Sequence, residues 1–435
     1  MERNSRWPGF YKLPMEERRR MAADLLGIGL DELQAALEGG LDPARADKII
    51  ENVVGTFALP FALALNVKVN GTDFIVPMVV EEPSVVAAAS NAARMIREGG
   101  GFTADADDPV MIAQVQLDGV PNATGAIDIL LRHQGELCAL GDESVQGLVK
   151  RGGGMRGLGA RDLGDGMLVV HLFVDCRDAM GANLVNTVAE AVAPRIEELV
   201  GGTVGLRILT NLCDQRRVRV NCRVPARALA SDGYPGGEVR DAIVRASRFA
   251  EKDPYRATTH NKGLMNGLDA VVIATGNDWR AVESGAHAYA ARNGRYEPLC
   301  VWRAEGDDLV GSLEMPLSLG IVGGPSRVHD GAKLGLRIIG AESATELAMV
   351  AASIGMASNL AALRALATEG IQKGHMALHA RSVAIAAGAR GGDVERVAHA
   401  IHGAGDVSLA RAQRVLRELR ELRKASSAPP PVAGE

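Results

Sequence analysis

Asp253-Pro-Tyr-Arg-Ala-Thr-Thr-His-Asn-Lys-Gly-Leu-Met-Asn-Gly-Leu-Asp-Ala-Val-Val-Ile-Ala-Thr-Gly-Asn-Asp-Trp-Arg280 is the stretch on which the reading of this chain turns. It sets Arg256, His260, Lys262 and Asn266 among glycines, and an apolar run, Ala270–Ala274, leads on to Asp278. Surface loops rarely place so many hydrogen-bonding side chains between two apolar blocks, so the stretch reads as the centre of an active site. Read as a buried strand, the apolar run delivers a carboxylate beside a lysine. That pair suits a site that handles the negative charge of a carbonyl.

The bulk properties narrow the class. At 435 residues the chain exceeds one ordinary core, and two or three domains are expected. Hydrophobic residues at 47% and charged residues at 23% are the balance of a soluble globular protein. A net charge of −5 favours no nucleic acid, and 3% aromatics leave few stacking platforms. There is no signal-like N-terminus and no apolar run long enough to cross a bilayer, so a cytoplasmic protein without a membrane is expected. The five cysteines (138, 176, 213, 222, 300) form no CxxC pair, which fits free thiols in a reducing compartment and argues against structural zinc. A core of Ala, Val and Leu requires tight helix contacts.

Working outward, residues 1–50 carry helical spacing with charged faces. A strand ends in Phe74–Val80, and Glu81-Glu82-Pro83-Ser84 leads into a helix from Val85. Pro83 fits a first helical turn, which puts Glu82 at or beside the cap; it is either a simple capping acid or, with its pKa raised by its surroundings, a proton donor. Strands are expected at Val110–Leu117, Met167–Asp175, about 205–211 and about 217–222, with helices at about 124–150 and from Asp178. Together they describe a small sheet with helices on one face. Gly152–Gly157 matches GxGxxG in form only, because no clear strand precedes it and no helix start follows. Asp178-Ala-Met-Gly-Ala-Asn183 follows an apolar strand and has two readings. It is an anion site at a helix start, with Gly181 admitting a ligand to the backbone, or an ordinary capped core helix. Ile321–Ser326 is a glycine turn, Ala341–Leu366 an alanine-rich helix, and Ser408–Lys424 the last helix. His375 and His379 stand four apart on a helix, but without HExxH order or a third ligand no metal is expected.

Lys262, Asp278, Glu82 and His375 together suit reduction of a carbonyl, and no GxSxG or Walker motif competes. At these positions the chain resembles the class II, soluble bacterial 3-hydroxy-3-methylglutaryl-CoA (HMG-CoA) reductases, from about Pro8 to Leu422. The resemblance is carried by Glu51-Asn-Val-Val-Gly55, Glu81–Ser90, Asp178–Asn183, His260-Asn-Lys-Gly263, Thr275-Gly-Asn-Asp278 and Gly374-His-Met376 in that order. It implies an α+β fold: a large, mostly helical domain (1–108 and 212–370) interrupted by a small ferredoxin-like cofactor domain (109–211), a C-terminal helical flap (371–424), and a disordered tail (425–435).

The resemblance also assigns roles. Glu82, Lys262 and Asp278 match the catalytic glutamate, lysine and aspartate, and His375 matches the histidine that protonates the coenzyme A thiolate. Ser84, Arg256 and Asn266 fall where the HMG moiety is held; Asp178, Met180, Gly181 and Asn183 fall on the nicotinamide dinucleotide motif. A homodimer or higher oligomer is implied, with active sites at the subunit interface. The implied reaction links HMG-CoA to mevalonate and coenzyme A through mevaldyl-CoA and mevaldehyde. NAD(H) is preferred as cofactor. Val145 stands where NAD(H)-dependent relatives carry an aspartate, and Arg151 and Arg156 keep NADP(H) open. A coenzyme-A-linked acyltransferase and a non-catalytic acyl-CoA-binding scaffold are the alternatives, and neither needs a dinucleotide at Asp178.

Overall fold

A computed structural model describes residues 4–231, 233–324, 328–368 and 370–426. The chain divides into two compact units, Met1–Glu81 with Val86–Ala361, and Glu82–Val85 with Ala362–Glu435.

The first unit contains two sheets built from strands β1 (Phe61–Val69), β2 (Thr72–Val79), β3 (Phe102–Ala106), β4 (Val110–Asp118), β5 (Gly154–Gly164), β6 (Met167–Asp175), β7 (Thr203–Leu209), β8 (Arg217–Pro225), β9 (Cys300–Glu305) and β10 (Asp308–Pro316). The larger sheet has the order β2-β1-β3-β8-β10-β9, antiparallel except where β1 meets β3. The smaller has the order β5-β6-β4-β7 and is wholly antiparallel. Alternate residues Met111, Ala113, Val115 and Leu117 of β4 and Leu168, Val170, Leu172 and Val174 of β6 enter one core. That period of two turns one face of the small sheet to the helices Ala123–Arg132, Gln134–Ser144 and Ala182–Val200. The GxGxxG-like run enters β5 and opens no helix.

The opening stretch is where the expectation changes most. Pro254–Ala274 is one 21-residue helix, and Ala270–Ala274 is its end rather than a strand. Asp253 caps it, accepting from the Arg256 amide at 2.8 Å, and Pro254 occupies the first turn. Five consecutive apolar residues do not distinguish a buried strand from a buried helix. Here Ala270, Val271, Val272 and Ala274 are all buried because neighbours pack on several sides of the helix. Midway along it a neighbour comes close at Gly267, where a Cβ would lie 2.7 Å from Ser358 Cβ and 2.8 Å from the Ile354 carbonyl oxygen. Those partners belong to the helix Ala344–Ala367, which is long and apolar enough to cross a membrane; 78% of its apolar window is buried within the protein, as in a core helix.

All five cysteines are free. Burial raises the pKa of Cys176 to about 12 and raises those of Cys138, Cys213, Cys222 and Cys300 as well.

In the second unit the helices Ile371–Ala386, Gly392–Gly403 and Leu409–Ser426 close around Ala380, Ala384, Val397, Ile401, Ala412 and Leu416. The last helix runs through Ala425 and Ser426, and the rest of the expected tail lies outside the described residues.

His260, first read as part of the active centre, is a core residue. It is 1% exposed, and its Nε2 donates to the Cys300 carbonyl at 2.8 Å. Burial lowers its pKa to about 4, so the ring is neutral near pH 7. Unfolded, the same histidine titrates near its ordinary value of about 6.5. Its contribution to stability is therefore complete above that value and lost as pH falls from about 6.5 to about 4, by about 3 kcal/mol. Urea melts across this range are expected to show the decline in the native protein and a flatter profile in His260→Gln.

Candidate active site

Two segments distant in sequence form the walls of one cavity. On one side the helix Pro254–Ala274 ends with Gly276 at φ 68°. The Gly276 and Asn277 amides turn back to the Ile273 and Val272 carbonyls at 3.0 and 2.9 Å. The Asn277 side chain then clasps Gly320, donating to its carbonyl at 3.1 Å and accepting from its amide at 2.8 Å. On the other side Gly181, at φ 106°, stands at the N-cap of the helix Ala182–Val200 and leaves its first amides without a side-chain cap. A Cβ at Gly181 would lie 2.5 Å from Cys176 Sγ, so only glycine fits there. The cavity, of about 290 Å³, is lined by residues 179–184, 275–278, 320 and 322–324.

Met180, Gly181, Asn183 and Asp278 thus share one space, and Asp178 adjoins it. Asp178 does not cap the helix that follows. Its carboxylate accepts from the Ala344 amide at 2.9 Å, while its carbonyl accepts from Ile321 at 2.9 Å. Asp278 caps Trp279–Ala290, accepting from the Arg280 and Ala281 amides at 3.1 and 3.2 Å, and at 40% side-chain exposure it is not the buried aspartate that was expected.

Lys262, Asn266 and Asp269 follow at i, i+4 and i+7 on one helix face, with Lys262 exposed. Arg256 lies about 120° round the helix from Lys262. Asp278 is not delivered beside Lys262. The Asn277 amide is bonded to Val272, ten residues beyond Lys262, so about 15 Å of helix separates the two levels. Helical side chains also lean toward the N-terminus, which turns Lys262 away from Asp278. The two side chains do not span that gap.

Glu82 and Ser84 belong to the second unit. The helix Val85–Arg97 begins only after Pro83 and Ser84, and Ser84 has φ 76°, so Glu82 is not its cap. A serine in the left-handed region is uncommon and marks a constrained position. His375 lies on Ile371–Ala386 with its side chain outside the described residues, and His379 is exposed. The Ile321–Ser326 turn is described only as far as Gly324. Among the described residues no group of three or more His, Cys, Asp or Glu is placed to hold a metal. Val145 is buried, and the nearby Asp142 carboxylate accepts from the Met155 amide at 2.7 Å.

Two sets of polar residues escaped the sequence reading. Arg216 is 4% exposed and donates to the carbonyls of Ala179 (3.3 Å), Met180 (3.1 Å) and Leu319. Nothing in Cys213-Asp-Gln-Arg-Arg217 separates it from the less buried Arg217. The second set begins at Asp269. Burial, then a hydrogen bond to Glu283, raises the Asp269 pKa, and one of its oxygens is buried without a partner. A hydrogen bond from His287, 2.5 Å away, holds Glu283 ionised, and Glu283 in turn raises the His287 pKa. His287 Nδ1 meets the Tyr296 hydroxyl at 2.7 Å, which also accepts from Asn261. This chain ties the helix bearing Lys262 to the helix capped by Asp278.

The fold and cavity define a class: an α+β protein that sets an uncapped, glycine-led helix start against the helix-capping carboxylate of Asp278. The family model for hydroxymethylglutaryl-coenzyme A reductase matches residues 14–380. The chain is 49% identical over 418 residues to the 3-hydroxy-3-methylglutaryl-coenzyme A reductase of Archaeoglobus fulgidus, covering 95% of this chain and 94% of that one. It is 32% identical to a probable enzyme of the same name from Borreliella burgdorferi, over 77% of each. The 3-hydroxy-3-methylglutaryl-coenzyme A reductase of Streptococcus pneumoniae superposes with a TM-score of 0.81 at 41% identity, covering 95% of this chain and 100% of that one. A class II structure from the same organism, bound to NADPH in open conformations, gives 0.80 at 42%, over 83% and 100%. The chain belongs to the hydroxymethylglutaryl-coenzyme A reductase family.

Asp269 offers a direct test of the buried network. With its pKa raised, the folded state keeps a proton that the unfolded state releases, so this group's contribution to stability falls as pH rises above the ordinary aspartate range. Asp269→Asn, which imitates the protonated form, is expected to fold and to remove that decline with rising pH in thermal melts, whereas Asp269→Leu should unfold more readily at every pH.

Proposed function

We propose that the protein interconverts HMG-CoA and mevalonate plus coenzyme A by two hydride transfers. The observation that carries this reading is the shared cavity, where the helix start at Gly181 and the Asp278 loop face one space. Its free amide donors and glycine-lined wall fit the pyrophosphate end of a nicotinamide dinucleotide. When bound, that group supplies or accepts the hydride. Lys262 stabilises the oxyanion that forms when hydride reaches the thioester carbon, giving the mevaldyl hemithioacetal. His375, on the flap of residues 371–424, protonates the departing thiolate as the C–S bond breaks to leave mevaldehyde. A second hydride and a proton relayed by Glu82 complete mevalonate. Arg256 pairs with the free carboxylate of the HMG group, and Ser84 and Asn266 hold its oxygens.

The separation of Lys262 from Asp278 supports a site shared between two copies of the chain, each giving one of these residues. Lys262→Ala and Asp278→Asn are each expected to abolish turnover. Exchanged into mixed dimers, they should regain about a quarter of the native rate, since half the dimers then carry one intact site. No recovery would place both residues in a single-chain site.

NAD(H) is the proposed cofactor. Arg156 is bonded to the buried Asp175 at 2.6 Å, so its guanidinium is already paired before any 2′-phosphate arrives. Following nicotinamide absorbance with HMG-CoA, kcat/KM for NADH is expected to exceed that for NADPH at least tenfold. The opposite ratio would overturn the cofactor choice alone, and no signal with either would overturn the reductase. His375→Gln should slow thioester reduction far more than reduction of free mevaldehyde.

A further inference from the structure

Arg216 has no catalytic part in the scheme above, yet it is a guanidinium placed directly behind the cavity. At 4% exposure it is a charge withdrawn from water, and among the described residues no carboxylate approaches within 4.0 Å of it. Burial lowers its pKa, with Asp175 and Asp178 opposing only at a distance. Such a charge is costly to bury without an opposite one, so its retention needs a reason beyond packing. Its partners are three backbone carbonyls, from Ala179 and Met180 on one wall and Leu319 beside the other.

Those bonds fix more than the loops' positions. The peptide between Met180 and Gly181 is trans, so turning its carbonyl to Arg216 turns the Gly181 N–H the opposite way. That N–H then joins the first amides of Ala182–Val200, on the side where residues 180–184 line the cavity. Gly320, whose missing Cβ would lie 2.4 Å from the Met180 nitrogen, holds the second wall against the first, with Leu319 anchored to the same guanidinium.

We propose that Arg216 is the positioning residue of the dinucleotide site: it locks both walls through their carbonyls, aims the Gly181 amide at the cofactor's pyrophosphate, and has its own charge answered when that anion binds. The inference rests on the dinucleotide reading of the cavity. The site is thereby built for an anion from behind, through backbone dipoles, with no cationic side chain required inside it.

The test is titration of the full-length enzyme with NADH and with NADPH by nicotinamide fluorescence, together with steady-state kinetics. Arg216→Met is expected to weaken dinucleotide binding at least tenfold while the KM for HMG-CoA stays within twofold, and Arg216→Lys, which keeps charge and donors, should recover most of the loss. Arg216→Gln, which keeps two donors without the charge, should fall between them and carries the same comparison if the methionine variant does not fold. Equal weakening toward dinucleotide and HMG-CoA, or unchanged dinucleotide affinity in both Arg216→Gln and Arg216→Lys, would overturn the role. Failure of the native enzyme to bind either dinucleotide would instead overturn the reading of the cavity.

Discussion

The close approach of the Pro254–Ala274 helix to its neighbours is the constraint from which the rest of the first unit follows. At Gly267 the helix meets the backbone of Ile354, and near its end the Ala274 carbonyl lies 2.0 Å from where Gly335 would carry a Cβ. A side chain at either place forces backbone apart, because the obstructing atoms include main-chain oxygens. These contacts fix the rotation of the helix, and with it the face on which Lys262, Asn266 and Asp269 stand. They also fix where the helix stops, and therefore where Thr275–Asp278 enters the cavity. A core poor in aromatics holds together by such backbone proximity rather than by large side chains.

The cavity is held by polar contacts of a different kind. The Asn277 clasp joins the helix end to Gly320, and Arg216 joins the 179–180 carbonyls to Leu319. Segments separated by more than a hundred residues in sequence thus share few but specific bonds. Each bond is made in a poorly hydrated place, where it is stronger and its loss more costly than at the surface.

Much of this was legible in the sequence. The apolar run Met167–Asp175 is a strand over the residues expected, whereas the helix that Asp253 caps and Pro254 opens takes the place of the strand expected after Leu268. The helix start near Gly181 and the Thr275–Asp278 loop were both picked out, and they do meet. What could not be read was anything that depends on which side chain is buried. The apolar run after Leu268 fits a strand or a helix equally, and tertiary packing decides it. Arg216 and Arg217 are adjacent, yet only the first is almost wholly enclosed. The assumption that Lys262 and Asp278 lie side by side failed because sixteen residues of sequence became mostly helix, which converts sequence proximity into distance.

The state of the cysteines has a consequence for turnover. Toward mevalonate, the reaction proposed here liberates a thiol at every cycle, and such a thiol, once oxidised, readily forms mixed disulfides with any protein thiolate it meets. This chain offers it almost none. Cys176, Cys213, Cys222 and Cys300 are buried, and Cys138, the most accessible, also has its pKa raised. Exchange requires a thiolate and access together. An enzyme packed in this way resists capture by its own sulfur-bearing product.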